Sequence, residues 1–126
     1  MSALIRENET FEVKIYRLTD KDGKDTFLPA GAKSIPPAGA EELTFVFKRP
    51  TWGDTKTIMS RSVSFVDGKG EIDPYCLMDS RIKVLLKSWS LKDEAGKPIP
   101  AIPENVERLP AALVEKIHGD MSNHLD

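Results

Sequence analysis

The most informative stretch of the sequence is DPYCLMDSRIKVLLKSW, residues 73–89. Its apolar residues recur at spacings of three and four, as one face of a helix requires: Tyr75, Met78, Ile82, Leu85, Leu86 and Trp89. Asp73 is a favourable N-cap residue, and Pro74 suits the first helical position because an N–H there has no partner within the helix. The segment therefore predicts an amphipathic helix from Asp73 to about Ser88.

Two further helices are predicted around this one. On the N-terminal side, Asp54 is a candidate cap for a helix that runs to about Val66. On the C-terminal side, a turn at residues 93–98 and a proline-rich link precede one short helical turn at residues 104–108. A final helix then begins at Pro110, and its apolar residues follow one another at i+4 spacing: Leu113, Ile117 and Met121.

The N-terminal part of the chain has the pattern of strands. Apolar and polar residues alternate from Phe11, which predicts a half-buried strand, and the Asp-Gly turn within residues 20–25 leads to a return strand at Phe27 and Leu28. Residues 29–40 contain three prolines and two glycines and predict a loop, and a second alternating strand covers residues 42–48.

These elements predict an α+β fold, with a small antiparallel sheet in the N-terminal half followed by about three helices. Residues 1–126 form one predicted domain, with a strand-rich part at 10–50 and a helical part at 54–122. The similar segments that begin at Leu18 and Leu91 are interpreted as two turns of one kind rather than as a duplication, because no sustained repeat accompanies them.

The composition excludes several classes of protein. The chain has 126 residues, 40% of them hydrophobic, 30% charged, and a net charge of −2, which is ordinary for one folded domain and unlike the basic footprint of a nucleic-acid binder. No segment has the pattern of a signal peptide or a membrane span. With Cys76 as the single cysteine, the sequence predicts a cytoplasmic protein without an internal disulfide.

The candidate metal and catalytic residues do not have the sequence spacing that such sites require. An EF-hand needs glycine at loop position 6 and glutamate at position 12, whereas counting from Asp20 places Gly23 at position 4 and Gly31 at position 12. His118 and His124 do not have the spacing of a zinc pair, and Cys76 has no histidine nearby in sequence to activate it. The sequence predicts no catalytic residue, no metal and no cofactor.

The residues that remain as candidates are apolar and are interpreted as partner-binding residues. Tryptophan is enriched at the energetic centres of protein interfaces. For Trp89, at the end of an apolar stripe, core packing is the preferred interpretation, whereas Trp52 in a loop fits either role. The candidates for partner binding are Trp52, Tyr75, Trp89, Leu113 and Ile117. Leu113 and Ile117 are expected to face solvent on the last helix, where they would cover a partner.

The C-terminal half resembles a known family. The segments LKSWSLKDEAGKPIP (86–100) and PENVERLPAALVEKI (103–117), together with the strand end FKRPT (47–51), look like the small tail assembly chaperones of long-tailed bacteriophages. In those proteins a helix ends in a tryptophan, and a polar turn, a proline-led link and a leucine–proline final helix follow. The resemblance covers roughly residues 45–120.

The resemblance implies a non-enzymatic late phage protein that binds the tape-measure protein, or another tail protein, during virion morphogenesis in the host cytoplasm. A homo-oligomer is compatible with this role, since self-association would compete with the client for apolar faces. A structural virion component of the tail or baseplate is the alternative, and a small enzyme with an unrecognised site is a third.

Overall fold

The computed structural model describes residues 3–6, 8–30 and 36–125. Its strands are β1 (Thr10–Thr19), β2 (Asp25–Pro29), β3 (Glu41–Lys48), β4 (Val63–Val66), β5 (Lys69–Ile72) and β6 (Leu86–Trp89). Its helices are α1 (Trp52–Ser62), α2 (Pro74–Leu85), α3 (Pro103–Val106) and α4 (Ala111–Ser122). Part of the loop predicted at residues 29–40, residues 31–35, lies outside the described chain.

The centre of the fold is a four-stranded antiparallel sheet with the strand order β2-β1-β3-β6. In the β1–β3 pair, Val13 lies opposite Phe45 and Phe11 opposite Phe47. Because side chains alternate along a strand, these residues point to one face of the sheet. The α+β class predicted from the sequence, with its sheet in the N-terminal half, is confirmed.

The core lies between that face of the sheet and the helices. α4 packs over β1 and β2, α2 packs over β3 and against α4, and α1 packs against α2. One continuous cluster of buried apolar side chains results: Phe11, Val13, Ile15, Phe27, Leu43, Phe45, Phe47, Ile58, Ile82, Leu85, Val106, Leu113, Ile117 and Met121.

The start of α2 forms as predicted. Asp73 is its N-cap, and the Asp73 carboxylate accepts hydrogen bonds from the backbone N–H groups of Tyr75 (2.9 Å) and Cys76 (3.1 Å). Pro74 occupies the first helical turn. The final helix is also confirmed, with Pro110 at its N-cap position.

The prediction that α2 continues to Ser88 is wrong. The helix ends at Leu85, and Leu86–Trp89 forms β6, which pairs with β3 through Phe45 opposite Trp89. Leu86 and Trp89 fit a helical spacing, but a segment of four residues is too short for periodicity to distinguish a helix from a strand. The open edge of β3 decides the outcome, because its backbone groups need hydrogen-bond partners.

The prediction of a helix from Asp54 to about Val66 is wrong at both ends. Thr51 caps α1, and Asp54 completes a reciprocal capping box, since the Thr51 backbone N–H donates to the Asp54 carboxylate (3.0 Å) and the Asp54 N–H donates to the Thr51 hydroxyl (3.1 Å). Burial alone would raise the pKa of Asp54, but its hydrogen bonds with Thr51 and Lys48 together lower it. The helix ends at Ser62, and the next four residues form β4.

The two similar turns noted in the sequence have the same geometry. The Asp20 carboxylate accepts from the N–H groups of residues 22 and 24, each at 2.9 Å, and the Asp93 carboxylate accepts from those of residues 95 and 97 at the same distance. Gly23 and Gly96 both have a φ of 81°. The carboxylates of Asp20 and Asp93 therefore stabilise turns, which is the ordinary role of this residue type.

Replacement of Ile117 by Ala tests the packing of α4. Ile117 is fully buried, and truncation of a buried isoleucine leaves a cavity, so we expect a loss of about 2–5 kcal/mol in the free energy of unfolding. Urea denaturation followed by circular dichroism measures this loss. The exposed neighbour Lys116 is the control, since Lys116→Ala should change the stability by less than about 0.5 kcal/mol. Equal effects of the two substitutions would contradict the packing described.

Candidate functional site

Strands β4 and β5 form a hairpin, residues 63–72, between α1 and α2. Its turn is Asp67-Gly68, with φ angles of 52° and 78°, and Val66 lies opposite Lys69. Positive φ at both turn residues is the geometry of the tight hairpin turn for which Asp-Gly is favoured. The Asp73 N–H donates to the Ser62 carbonyl (2.8 Å), which closes the base of the hairpin where the two helices meet.

One face of this hairpin is apolar. Val63 lies opposite Ile72, and Phe65 lies opposite Gly70, so these four residues share a face. Phe65 is 78% exposed, Ile72 52% and Val63 38%. The opposite face is more polar and contains Ser64, Val66, Lys69 and Glu71.

Gly70 sets the position of the Phe65 ring. A Cβ atom built on Gly70 would lie 3.2 Å from the Val63 side chain and 3.6 Å from the Phe65 ring. The ring therefore lies over the glycine, with which it is paired across the strands, an arrangement that compensates for the missing side chain. The Phe65 ring is held against the hairpin on one side and remains open to solvent on the other.

The hairpin packs little against the rest of the fold. Among the described residues, β4 and β5 make their extensive contacts only with each other. A two-stranded hairpin is marginal on its own in water, and contiguous exposed apolar surface marks interaction sites on soluble proteins. The apolar face of the hairpin is therefore the best candidate for a functional surface.

Two residues predicted to bind a partner are on the surface. Trp52 and Tyr75 are each 74% exposed. Tyr75 follows the hairpin closely, three residues after Ile72, whereas Trp52 begins the 11-residue helix α1 and is separated from the hairpin by roughly 15 Å of helix. Their role in partner binding stays a prediction, and the structure does not bring Trp52 and Tyr75 into one cluster with each other.

The other three predicted partner-binding residues serve the fold. Trp89 is half-buried, its indole N–H donates to the Ile99 carbonyl (2.5 Å), and its ring meets Phe45 edge to face with centroids 6.2 Å apart. Leu113 and Ile117 are 3% and 0% exposed. The expectation that Leu113 and Ile117 face solvent is wrong, because the apolar stripe of α4 packs on β1 and β2.

The prediction from the sequence did not contain this hairpin, although the sequence has a pattern that indicates one. The stretch VSFVDGKGEI, residues 63–72, has alternating apolar residues before an Asp-Gly pair, which is the strongest short-range pattern for a hairpin. Ile58, Met59, Val63 and Val66 also fit one helical face, and this spacing led to the prediction of a helix to about Val66 instead of a strand.

The reactive side chains are dispersed. Cys76 is exposed at the start of α2, and the His124 ring stacks on Phe11 with centroids 4.9 Å apart. Within the described ranges, no three His, Cys, Asp or Glu side chains are grouped so as to hold a metal ion. In the same ranges, no helix has the length and apolar character that a membrane span requires.

Comparison with known proteins found no relative of this chain. Neither the family models, nor the curated proteins, nor the solved structures gave a match to this chain.

His118 connects α4 to α2. The Arg81 guanidinium donates to Nε2 of His118 at 3.0 Å, so that nitrogen is unprotonated and the ring is neutral in this arrangement. Burial, together with the nearby charge of Arg81, lowers the pKa of His118 below its ordinary value of 6.5. The folded chain therefore favours the neutral ring.

A lowered pKa of His118 makes the stability depend on pH. The unfolded chain binds the proton more readily, so the contribution of neutral His118 is present above pH 6.5 and is lost as the pH falls through the lower folded pKa. We expect urea unfolding at pH 7.5 and pH 5.5 to show a smaller difference for His118→Gln than for the natural chain. The natural dependence should be retained in Lys116→Ala. The same pH dependence in His118→Gln and the natural chain would contradict the account.

Proposed function

We propose that this chain is a bacteriophage tail assembly chaperone, a non-enzymatic protein that binds the tape-measure protein during tail morphogenesis in the host cytoplasm. The observation that carries the proposal is the apolar hairpin, which projects from a folded core and has Phe65 and Ile72 open to solvent. A long apolar helical client offers the complementary surface.

The size of the hairpin suits a chaperone that must release its client. Each strand has four residues, whereas stable complexes use about 20–30 residues on each side. Burying an exposed side chain such as Phe65 contributes roughly 1.5–3 kcal/mol. One hairpin thus favours weak, reversible binding, and many copies along one client give a coating that tail-tube subunits can displace.

The segments that resemble the chaperone family form part of the folded core that supports the hairpin. Residues 86–117 contain β6, the Asp93 turn, α3 and the first half of α4. Val106, Leu113 and Ile117 of this segment belong to the core. The three segments that carry the resemblance, residues 47–51, 86–100 and 103–117, contain none of the hairpin residues 63–72, so the resemblance and the exposed hairpin are separate supports. Trp89 ends strand β6 rather than a helix, so this one feature of the family pattern is not present.

Co-expression with a tape-measure protein from the same genome tests the proposal. We expect the natural chain to keep that protein soluble and to co-purify with it. The double substitution Phe65→Ser and Ile72→Ser should reduce the recovered client at least about tenfold, because losing two buried apolar contacts removes more than the roughly 1.4 kcal/mol that corresponds to a factor of ten.

The matched control is Ile102→Ser, which removes an apolar side chain of similar exposure (44%) outside the hairpin and should leave client recovery unchanged. Both variants should unfold within about 0.5 kcal/mol of the natural chain, as surface substitutions do. Undiminished recovery with the hairpin variant would contradict the proposal. Stoichiometric amounts of the chain in purified virions would instead favour the structural virion component.

A further inference from the structure

A groove of about 280 Å³ lies on the helical side of the molecule, separate from the hairpin. α2, α4 and the segment from α3 to α4 form its walls. Its floor is apolar and is formed by Met78, Ile82, Val106, Leu109 and Val114. Ile82 and Val106 are buried, and the other three are half-buried, so the floor joins the core to the surface.

The rim of this groove is acidic. Asp79, Glu107 and Glu115 line it, and no Lys or Arg is among the described residues that do so. Lys83 donates to Asp79 (3.0 Å) and to Glu107, and the hydrogen bond with Glu107 is the main reason that the pKa of Lys83 is raised. Glu115 makes no ion pair with any described residue. Three carboxylates with one ammonium group leave the rim negative.

One face of each of two helices lines the groove. Tyr75, Met78, Asp79 and Ile82 have the spacing i, i+3, i+4, i+7 on α2, and Ala111, Val114 and Glu115 have the spacing i, i+3, i+4 on α4. Each set lies on one face of its helix. From Tyr75 to Ile82 the α2 face extends about 10 Å, which corresponds to two turns of a docked helix.

We propose that this groove binds a short amphipathic helix of a partner protein, with its apolar stripe on the floor and flanking Lys or Arg side chains at the acidic rim. The charge of the rim selects the partner. The hairpin of a second copy has two acids, Asp67 and Glu71, against one base, Lys69, so it lacks the positive charge that an acidic rim favours. This groove contains none of the hairpin residues 63–72 on which the proposed function rests, and its test needs no tail protein.

Two fluorescent peptides of about 16 residues probe the groove. Both have a leucine stripe at i, i+3, i+4 and i+7 on an alanine background, and one has lysine and the other glutamate beside the stripe. We expect the lysine peptide to bind the full chain at least about tenfold more tightly in fluorescence anisotropy, because like charges at an interface oppose binding. Its affinity should fall with added salt. Equal affinities, or no binding of the lysine peptide, would overturn the proposal.

Substitutions in the rim and floor locate the binding. Glu115→Gln should weaken the lysine peptide about two- to fivefold, as expected for one exposed ion pair, whereas Glu94→Gln, an exposed acid outside the groove, should have no effect. Ala111→Trp fills the groove from an exposed position and should abolish binding while circular dichroism shows a folded chain. Retained binding in folded Ala111→Trp would overturn the proposal, as would a dimer in light scattering that this substitution dissociates.

Discussion

The pairing of β1 with β3 determines how the sheet and the core beside it are arranged. The register that places Val13 opposite Phe45 brings the apolar residues of both strands to one face, and a shift by one residue would turn them to the other. β2 and β6 extend this pair on either side. α2 and α4 then bury their apolar faces on it.

In the part of the chain that the structure describes, this core forms without the hairpin. The described core cluster contains none of the residues 63–72, although Phe65 and Ile72 are large and apolar. Exposed apolar side chains of this kind are unfavourable in water unless another molecule covers them. The described chain therefore has one buried cluster that stabilises the fold and, apart from it, a hairpin with exposed apolar side chains.

The sequence predicted those elements whose signals are local. The alternation from Phe11 and the capping pair Asp73-Pro74 each specify an element without help from distant residues. The end of α2 could not be predicted, because the edge of β3, about 40 residues away in sequence, determines that Leu86–Trp89 is a strand. Whether the apolar residues of α4 are exposed or buried could not be predicted either, since the stripe containing Ile117 has the same sequence pattern whether a sheet or a client covers it. The hairpin was predictable from Asp67-Gly68 in principle, but the apolar residues before this turn also have helical spacing, and a helix was predicted instead.

Hydrogen exchange of the backbone amides, measured by mass spectrometry with and without a tape-measure protein, shows whether the hairpin is the surface that binds the client. Amides that open locally exchange on their own timescale, independently of the core. We expect residues 63–72 to exchange rapidly in the free chain and to become protected when the client is bound, while the amides of β1 and β3 are unchanged. Client-dependent protection that spares residues 63–72 and appears elsewhere would contradict this expectation.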